Sequence, residues 1–120
     1  MASTGLNIGP HPLTPENIDY YVRSRGPGSY VLSRGNDAGK FVVHYTGRSD
    51  EDLKARLKAH ASNGLYARFK CDFTVSAKAA FQRECRIFHD FGGISKLDNK
   101  IHPDRPNGSG WECPICTIFD

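Results

Sequence analysis

The amino-acid sequence predicts an α/β fold, a small three-stranded antiparallel sheet flanked by helices and extended by an irregular C-terminal segment. Short runs rich in β-branched and aromatic residues alternate with longer amphipathic runs that begin at helix-capping residues. A turn-rich stretch joins the first two of the short runs, as in a β-hairpin. Residues 94–120 contain three prolines and have no periodicity, so another device must hold them on the domain.

Length and composition fit one small domain. The chain has 120 residues, of which 38% are hydrophobic. No apolar run approaches the roughly 20 residues that a membrane helix needs, and residues 1–12 lack the pattern of a secretion signal. We therefore expect a cytoplasmic protein without membrane association, and a monomer. The net charge of +3 is a weak indication of a nucleic-acid partner.

The N-terminus combines a tail with a capped helix. Residues 1–13 are rich in Gly, Pro, Ser and Asn, so we expect a flexible tail followed by one domain over 14–120. Thr14 is a suitable helix cap and Pro15 fits the first turn. Ile18 lies on the apolar face of this short helix.

The hairpin is predicted next. Residues 29–32 form a first strand, and turn-forming residues fill 34–40. Residues 41–45 are dense in β-branched and aromatic side chains, which favours a second strand.

The second helix is predicted to start at 49–52, where acidic residues suit the positive end of the helix dipole. It runs to about Ala61 with Leu53 and Leu57 as its buried stripe.

A third strand and a third helix follow. Residues 65–73 alternate apolar and polar, with Phe69 and Cys71 facing inward. Ser76 is the expected cap of a helix over 77–91, which a Gly-Gly pair ends.

Residues of catalytic type stand in order on these elements. Gly28-Ser29-Tyr30 opens the first strand, and Tyr45-Thr46-Gly47 closes the second. The remaining candidates are Arg56 and His60 on the second helix, Glu84 on the third, and Asn99 in the loop beyond it.

With this ordered set the chain resembles the GIY-YIG nuclease family, whose name records two short motifs on neighbouring strands. The two motifs here each carry a changed middle residue, Ser29 and Thr46, which we expect to face away from the tyrosines. The resemblance covers about residues 28–99 and includes a Gly47-Arg48-Ser49 lead into the second helix. One extra residue in that lead would misplace Arg56 if it shifted the helix register.

The resemblance implies a metal-dependent endonuclease that hydrolyses phosphodiester bonds in nucleic acid, with DNA favoured. Glu84 would bind Mg²⁺ or Mn²⁺, and Arg56 would contact a phosphate. Tyr30 would orient or deprotonate the attacking water with Tyr45 as its hydrogen-bonding neighbour. His60 is either a participant or a packed histidine, and Asn99 is either the family's loop asparagine or a turn residue.

A positive groove is expected to bind the nucleic acid. Besides Arg56, the residues assigned to it are Arg48, Lys54, Lys58, Arg68 and Lys70. The alternative function is a non-catalytic, zinc-stabilised module that binds nucleic acid or protein on the same fold. The sequence leaves open the strandedness of the substrate, the choice between DNA and RNA, and the cleavage specificity.

The tail carries a candidate zinc site. Cys113 and Cys116 form a Cys-x-x-Cys knuckle, and Cys85 and His89 lie one helical turn apart on the helix upstream. Together they make a Cys₃His set for a zinc-stabilised C-terminal extension, with His102 competing for the place of His89. A redox pair or plain core thiols are the alternatives.

Overall fold

A computed structural model of the chain describes residues 4–35 and 41–119, so residues 1–3, part of the predicted 34–40 loop and the last residue of the chain lie outside it. The described elements, in chain order, are β1 (Ile8–Pro12), α1 (Pro15–Tyr21), β2 (Gly28–Ser33), β3 (Tyr45–Ser49), α2 (Leu53–Asn63), β4 (Arg68–Phe73), α3 (Ala77–Asp90) and a 3-10 turn (Gly93–Ser95). The α/β class is therefore as predicted.

The antiparallel sheet has four strands in the order β1-β4-β2-β3, so the prediction of three strands was wrong. The additional strand is β1, which lies within the segment predicted to be a flexible tail. It pairs with β4, placing Ile8 opposite Cys71. Leu6 and Leu13, on either side of β1, are both buried and anchor it. Its prolines are compatible with this position because β1 is an edge strand.

The predicted hairpin is present, with β2 and β3 antiparallel and Tyr30 opposite Gly47. Its second strand begins four residues later than predicted, at Tyr45 instead of Phe41. Phe41 and Val43 pack instead as an irregular segment against Val31 on the α3 side of the sheet. Their apolar character therefore reflects burial and not strand pairing.

Side chains cap the three helices at their N-termini. Thr14 accepts a hydrogen bond from the Asn17 amide at 3.2 Å, and Ser76 accepts one from the Ala79 amide at 3.1 Å, as the sequence predicts. The cap of α2 is Asp52, so this helix begins at the end of the predicted 49–52 start. Within the described residues, no helix is long and apolar enough to cross a membrane.

The helices cover both faces of the sheet. Tyr30 and Leu32 face the core shared with α1 and α2, whereas Val31 belongs to the cluster on the α3 side. Because β3 is an edge strand, side chains from both faces can converge around it. The candidate site lies at this edge.

Candidate active site and tail metal centre

A cavity of about 380 Å³ opens at the β3 edge and brings most of the predicted catalytic residues together. Its lining includes Tyr30, Tyr45, Arg56, Glu84 and Asn99. These side chains come from the hairpin, from α2, from α3 and from the loop after α3. The register of α2 therefore does place Arg56 at the cavity, despite the extra residue in the lead to this helix.

The glycines of the two short motifs make room for close packing. A Cβ atom on Gly47 would overlap the Tyr30 hydroxyl, directly across the hairpin. A Cβ atom on Gly28 would lie 2.6 Å from the Asp72 carbonyl oxygen and 2.7 Å from Leu53 Cδ2. Any larger residue would have to displace backbone or core atoms, which accounts for glycine at both positions.

The changed middle residues of the motifs are used in packing. Ser29 and Thr46 are both completely buried. The Ser29 hydroxyl donates to the Ala80 carbonyl on α3 at 3.1 Å, and the Thr46 hydroxyl donates to the Tyr30 carbonyl at 3.2 Å. Strand alternation thus turns both side chains away from the tyrosine rings, in agreement with the expectation.

Tyr30 and His60 form a hydrogen-bonded pair, with 2.7 Å between the Tyr30 hydroxyl and His60 Nε2. Burial raises the pKa of Tyr30 well above its ordinary value. Burial, together with the charge of Arg56, lowers the pKa of His60. At neutral pH the phenol is therefore protonated and the imidazole neutral, and the tautomer of His60 sets which of the two donates. Tyr45 lies beside both rings, but the hydrogen bond of Tyr30 goes to His60 instead of the expected Tyr45.

Glu84 projects from α3 to the β3 edge and is only 6% exposed. Arg48 Nη1 donates to Glu84 Oε1 at 2.8 Å. Burial raises the pKa of Glu84 to about 7, and the hydrogen bond from Arg48 opposes this shift. The buried carboxylate thus titrates near neutral pH.

Arg48 links three parts of the site. Besides Glu84, its Nε donates to Asp50 Oδ1 at 2.8 Å, and its Nη2 donates to the Asp104 carbonyl at 2.6 Å. Asp50 and Asp104 line the cavity but were not predicted as site residues. Strand alternation could have predicted the pairing of Arg48 with Glu84. Arg48 follows Thr46 by two residues, so both side chains point to the side of the sheet where α3 lies.

Asn99 binds the open edge of β3. Its Oδ1 accepts from the Thr46 amide at 3.1 Å, and its Nδ2 donates to the Thr46 carbonyl at 2.8 Å. The side-chain amide therefore takes the place of a neighbouring strand at one residue. This contact fixes the start of the tail against the sheet.

The basic residues assigned to a groove are distributed over separate places. Arg48 lines the cavity. Lys54 and Lys58 both form ion pairs with Asp19, at 3.0 and 2.7 Å, and line a different cavity.

The two groove candidates on β4 lie in a third place. Arg68 and Lys70 lie over the Phe41 ring, at 5.6 and 5.8 Å from its centroid, on the α3 side of the sheet. The structure does not bring the five residues into one groove.

Four tail and helix residues form a group that can hold a metal ion: His89, His102, Cys113 and Cys116. Their ligand atoms all lie within 4.8 Å of one another. His102 Nε2 is 3.1 Å from His89 Nε2 and 3.4 Å from Cys116 Sγ. Two imidazole nitrogens and two thiol sulfurs are a typical set for tetrahedral zinc.

The group differs from the predicted ligand set in one member, because His102 joins His89 and Cys85 is left out. Cys85 is completely buried and packs with Phe81 and Cys113. Burial raises the pKa of its thiol well above the ordinary value. The spacing of Cys85 and His89 on α3 was correct, but helical spacing could not reveal that the tail loop brings a second histidine to the group.

The cavity therefore combines a buried carboxylate, guanidinium donors and a phenol hydrogen-bonded to an imidazole, which are groups suited to phosphate-ester chemistry. Comparison of the chain with protein-family models, with curated proteins and with solved structures gives no match.

Proposed function

We propose that the protein is a metal-dependent endonuclease of the GIY-YIG type, which hydrolyses phosphodiester bonds in nucleic acid, with DNA as the preferred substrate. One observation carries this proposal. The side chains of Tyr30, Tyr45, Arg56, Glu84 and Asn99 line a single cavity, and His60 hydrogen-bonds to the first of them. A shared catalytic role would account for this convergence.

Arg56 is the proposed phosphate ligand. It is exposed at the cavity, and its planar group of donors matches the oxygens of a phosphodiester. A contact that strengthens as negative charge develops is worth about 3 to 4 kcal/mol in the transition state.

Glu84 is the proposed ligand of Mg²⁺ or Mn²⁺. The hydrogen bond from Arg48 engages Oε1, which leaves the second carboxylate oxygen to bind a cation. Mg²⁺ commonly takes one or two protein carboxylates and completes its coordination with water and substrate phosphate, so this single buried carboxylate fits. The bound ion would neutralise charge on the leaving oxygen.

The Tyr30–His60 pair is the proposed proton acceptor. Tyr30 would hold the attacking water by its hydroxyl oxygen and remove the proton of that water as its own proton passes to His60. The neutral state of His60 suits this transfer, since a charged imidazole has no acceptor nitrogen. His60 would thus be a participant and not only a packed side chain.

For the tail group we propose structural zinc. Residues 96–119 of the described chain form no helix or strand, and a tetrahedral ion would add folding free energy to this irregular segment. The cavity and the tail would then use different metals, one bound by oxygen and the other by nitrogen and sulfur.

The alternative is a non-catalytic module that binds nucleic acid or protein. The buried ion pair between Arg48 and Glu84 favours this alternative, because a cation already neutralises the carboxylate. The side chains of both residues are largely buried. In this case the cavity would bind a phosphate or a partner without cleavage.

The test is cleavage of plasmid DNA, labelled single-stranded DNA and labelled RNA, with Mg²⁺ or Mn²⁺ against a chelator. Glu84→Ala should lower metal-dependent cleavage by roughly 10²-fold or more, because it removes the cation ligand. Glu16→Ala is the matched control, since Glu16 is exposed on α1 and should leave cleavage unchanged. Wild-type activity that survives in Glu84→Ala would contradict the assignment. Tight binding without cleavage of any substrate would favour the non-catalytic module.

A further inference from the structure

The tail forms one wall of the cavity. Five lining residues come from the stretch 99–104: Asn99, Ile101, His102, Pro103 and Asp104. Among the described residues, 96–119 form no helix or strand, so hydrogen-bond ladders do not hold this wall in place.

The first part of the wall has its own anchors. Leu97 is only 6% exposed, and the Asp98 amide donates to the His44 carbonyl at 2.6 Å. Asn99 adds its two hydrogen bonds to Thr46. This part can keep its place without a metal.

The second part is held by Pro103, which is buried, and by His102, whose ring packs edge-on against Phe88 and Phe119. Ile101, next to His102, is 69% exposed and contributes little burial. The His102 ring points its Nε2 at the metal-binding group, while the residue itself lines the cavity. Two residues further on, the Asp104 carbonyl accepts from Arg48 Nη2. The group that can hold a metal is therefore two residues away from an acceptor of Arg48.

We propose that the metal ion in the tail positions the catalytic residues, because it fixes His102 and thereby keeps the Asp104 carbonyl on Arg48. This inference rests on the proposed nuclease function. Occupancy of the tail site would set the direction of the guanidinium that holds Glu84. His102 and Asp104 are positioning residues, since neither is required to touch the substrate.

The two metals would share α3 as a rigid support. Glu84 and His89 both lie on this helix, which buries six of its residues against the sheet and the tail. Loss of the tail metal should leave Glu84 in place and release Arg48 from one of its three acceptors. The catalytic constant should therefore fall more than substrate binding weakens.

The first experiment removes the tail metal without altering any cavity residue. Cys116 belongs to the metal group but does not line the cavity, so Cys116→Ala serves this purpose. Thr117→Ala is the matched control, because Thr117 follows Cys116, is exposed, and lies outside both the metal group and the cavity lining, so this variant should keep the metal. The full-length variants would be compared by zinc content, circular dichroism and the NMR resonance of Arg48 Nε.

We expect Cys116→Ala to lose zinc, to retain its helices, and to shift or broaden the Arg48 Nε resonance, whereas Thr117→Ala should match wild type. The kcat for DNA cleavage should fall by roughly tenfold to a hundredfold in Cys116→Ala, with KM nearly unchanged, as for other small misplacements of catalytic groups. If Cys116→Ala is folded and has lost zinc but its Arg48 Nε resonance is unchanged from wild type, the proposal is overturned. This readout does not require cleavage, so it remains decisive if the nuclease assignment itself fails.

A second comparison covers the case in which Cys116→Ala does not fold, and it keeps all four residues of the metal group. Pro103→Gly loosens the backbone between His102 and Asp104, and Pro106→Gly is the control, because Pro106 lies beyond Asp104 and outside the cavity lining. Both variants should keep zinc, and only Pro103→Gly should shift or broaden the Arg48 Nε resonance. An unchanged Arg48 resonance in zinc-loaded Pro103→Gly would overturn the proposal.

Discussion

At the scale of single residues, burial decides the chemistry of the cavity. Glu84 has lost most of its contact with water, and its hydrogen bond from Arg48 only partly compensates for that loss. The folded state therefore holds its proton more tightly than the unfolded chain does. Such a carboxylate destabilises the fold when it ionises, which is expected of a residue kept for function rather than for stability.

This gives a pH prediction for Glu84→Gln. The pKa of Glu84 is about 7 in the folded chain, against an ordinary value of 4.5. Between these values the folded state binds more protons, so wild-type stability should fall as the pH rises from 4.5 to about 7. Glutamine cannot ionise, so at pH 8 the variant should exceed wild type in unfolding free energy by on the order of 1 kcal/mol.

Urea unfolding at pH 5 and pH 8 measures this difference, with Glu16→Gln as the exposed control. The control should give the same difference from wild type at both pH values. A Glu84→Gln variant that is less stable than wild type at pH 8 would show instead that the ion pair with Arg48 stabilises the fold.

At the scale of elements, the β3 edge joins the sheet to the tail. The side chain of Asn99 satisfies both backbone groups of Thr46, so one residue of the tail acts as a short piece of a fifth strand. Asn99 is therefore better described as a support of the site than as a participant in the reaction.

We expect Asn99→Ala to lower the unfolding free energy by about 1 to 2 kcal/mol, because two hydrogen bonds to a buried residue are lost. Asn63→Ala, at the exposed end of α2, is the control and should change stability by less than about 0.5 kcal/mol. Chemical denaturation of the three proteins provides the measurement. Equal stabilities would mean that water replaces the Asn99 amide at no cost.

The sequence was informative about elements wherever the signal was local. The caps Thr14 and Ser76 are recognisable from the residues next to them, and these caps start α1 and α3 where predicted. Strand β1 was missed because its Pro and Gly content is typical of a tail, and only pairing with β4 turns it into a strand. Such pairing joins residues far apart in the chain, which local patterns do not encode.

The same distinction applies to the site. The family resemblance selected Tyr30, Arg56 and Glu84, and these residues meet in one cavity. Their partners were harder to predict, because the contact of Arg48 with the Asp104 carbonyl involves a backbone atom of an irregular segment. The choice between His89 and His102 was also not a true alternative, since both belong to the metal group.

At the scale of the whole molecule, the described basic residues that were assigned to a groove do not meet on one face. The net charge is only +3, and Lys54 and Lys58 are paired with Asp19. Binding of nucleic acid would therefore depend on a few contacts near the cavity, and the salt dependence of binding should be shallow.

We predict a slope of about −2 to −3 for the logarithm of the DNA-binding constant against the logarithm of salt concentration, as two or three phosphate contacts would give. Arg56→Gln should reduce the magnitude of this slope by about one, because Arg56 lies at the cavity. Arg68→Gln should leave it unchanged, because Arg68 lies over Phe41 on the α3 side of the sheet. Fluorescence anisotropy over a salt series measures both. If the slope is near −6 and both variants reduce its magnitude, the basic residues form one continuous groove, as the sequence predicted.

The contact between Asn99 and Thr46 also has a consequence for how copies of the chain meet. An open strand edge is a template on which another chain can add a strand and begin an aggregate. In this sheet one outer strand, β1, carries Pro10 and Pro12, which have no amide hydrogen to offer. The other outer strand, β3, has the backbone groups of Thr46 covered by Asn99. The tail thus protects the sheet from growing by self-association, and a chain whose tail is released should precipitate at concentrations that the intact protein tolerates.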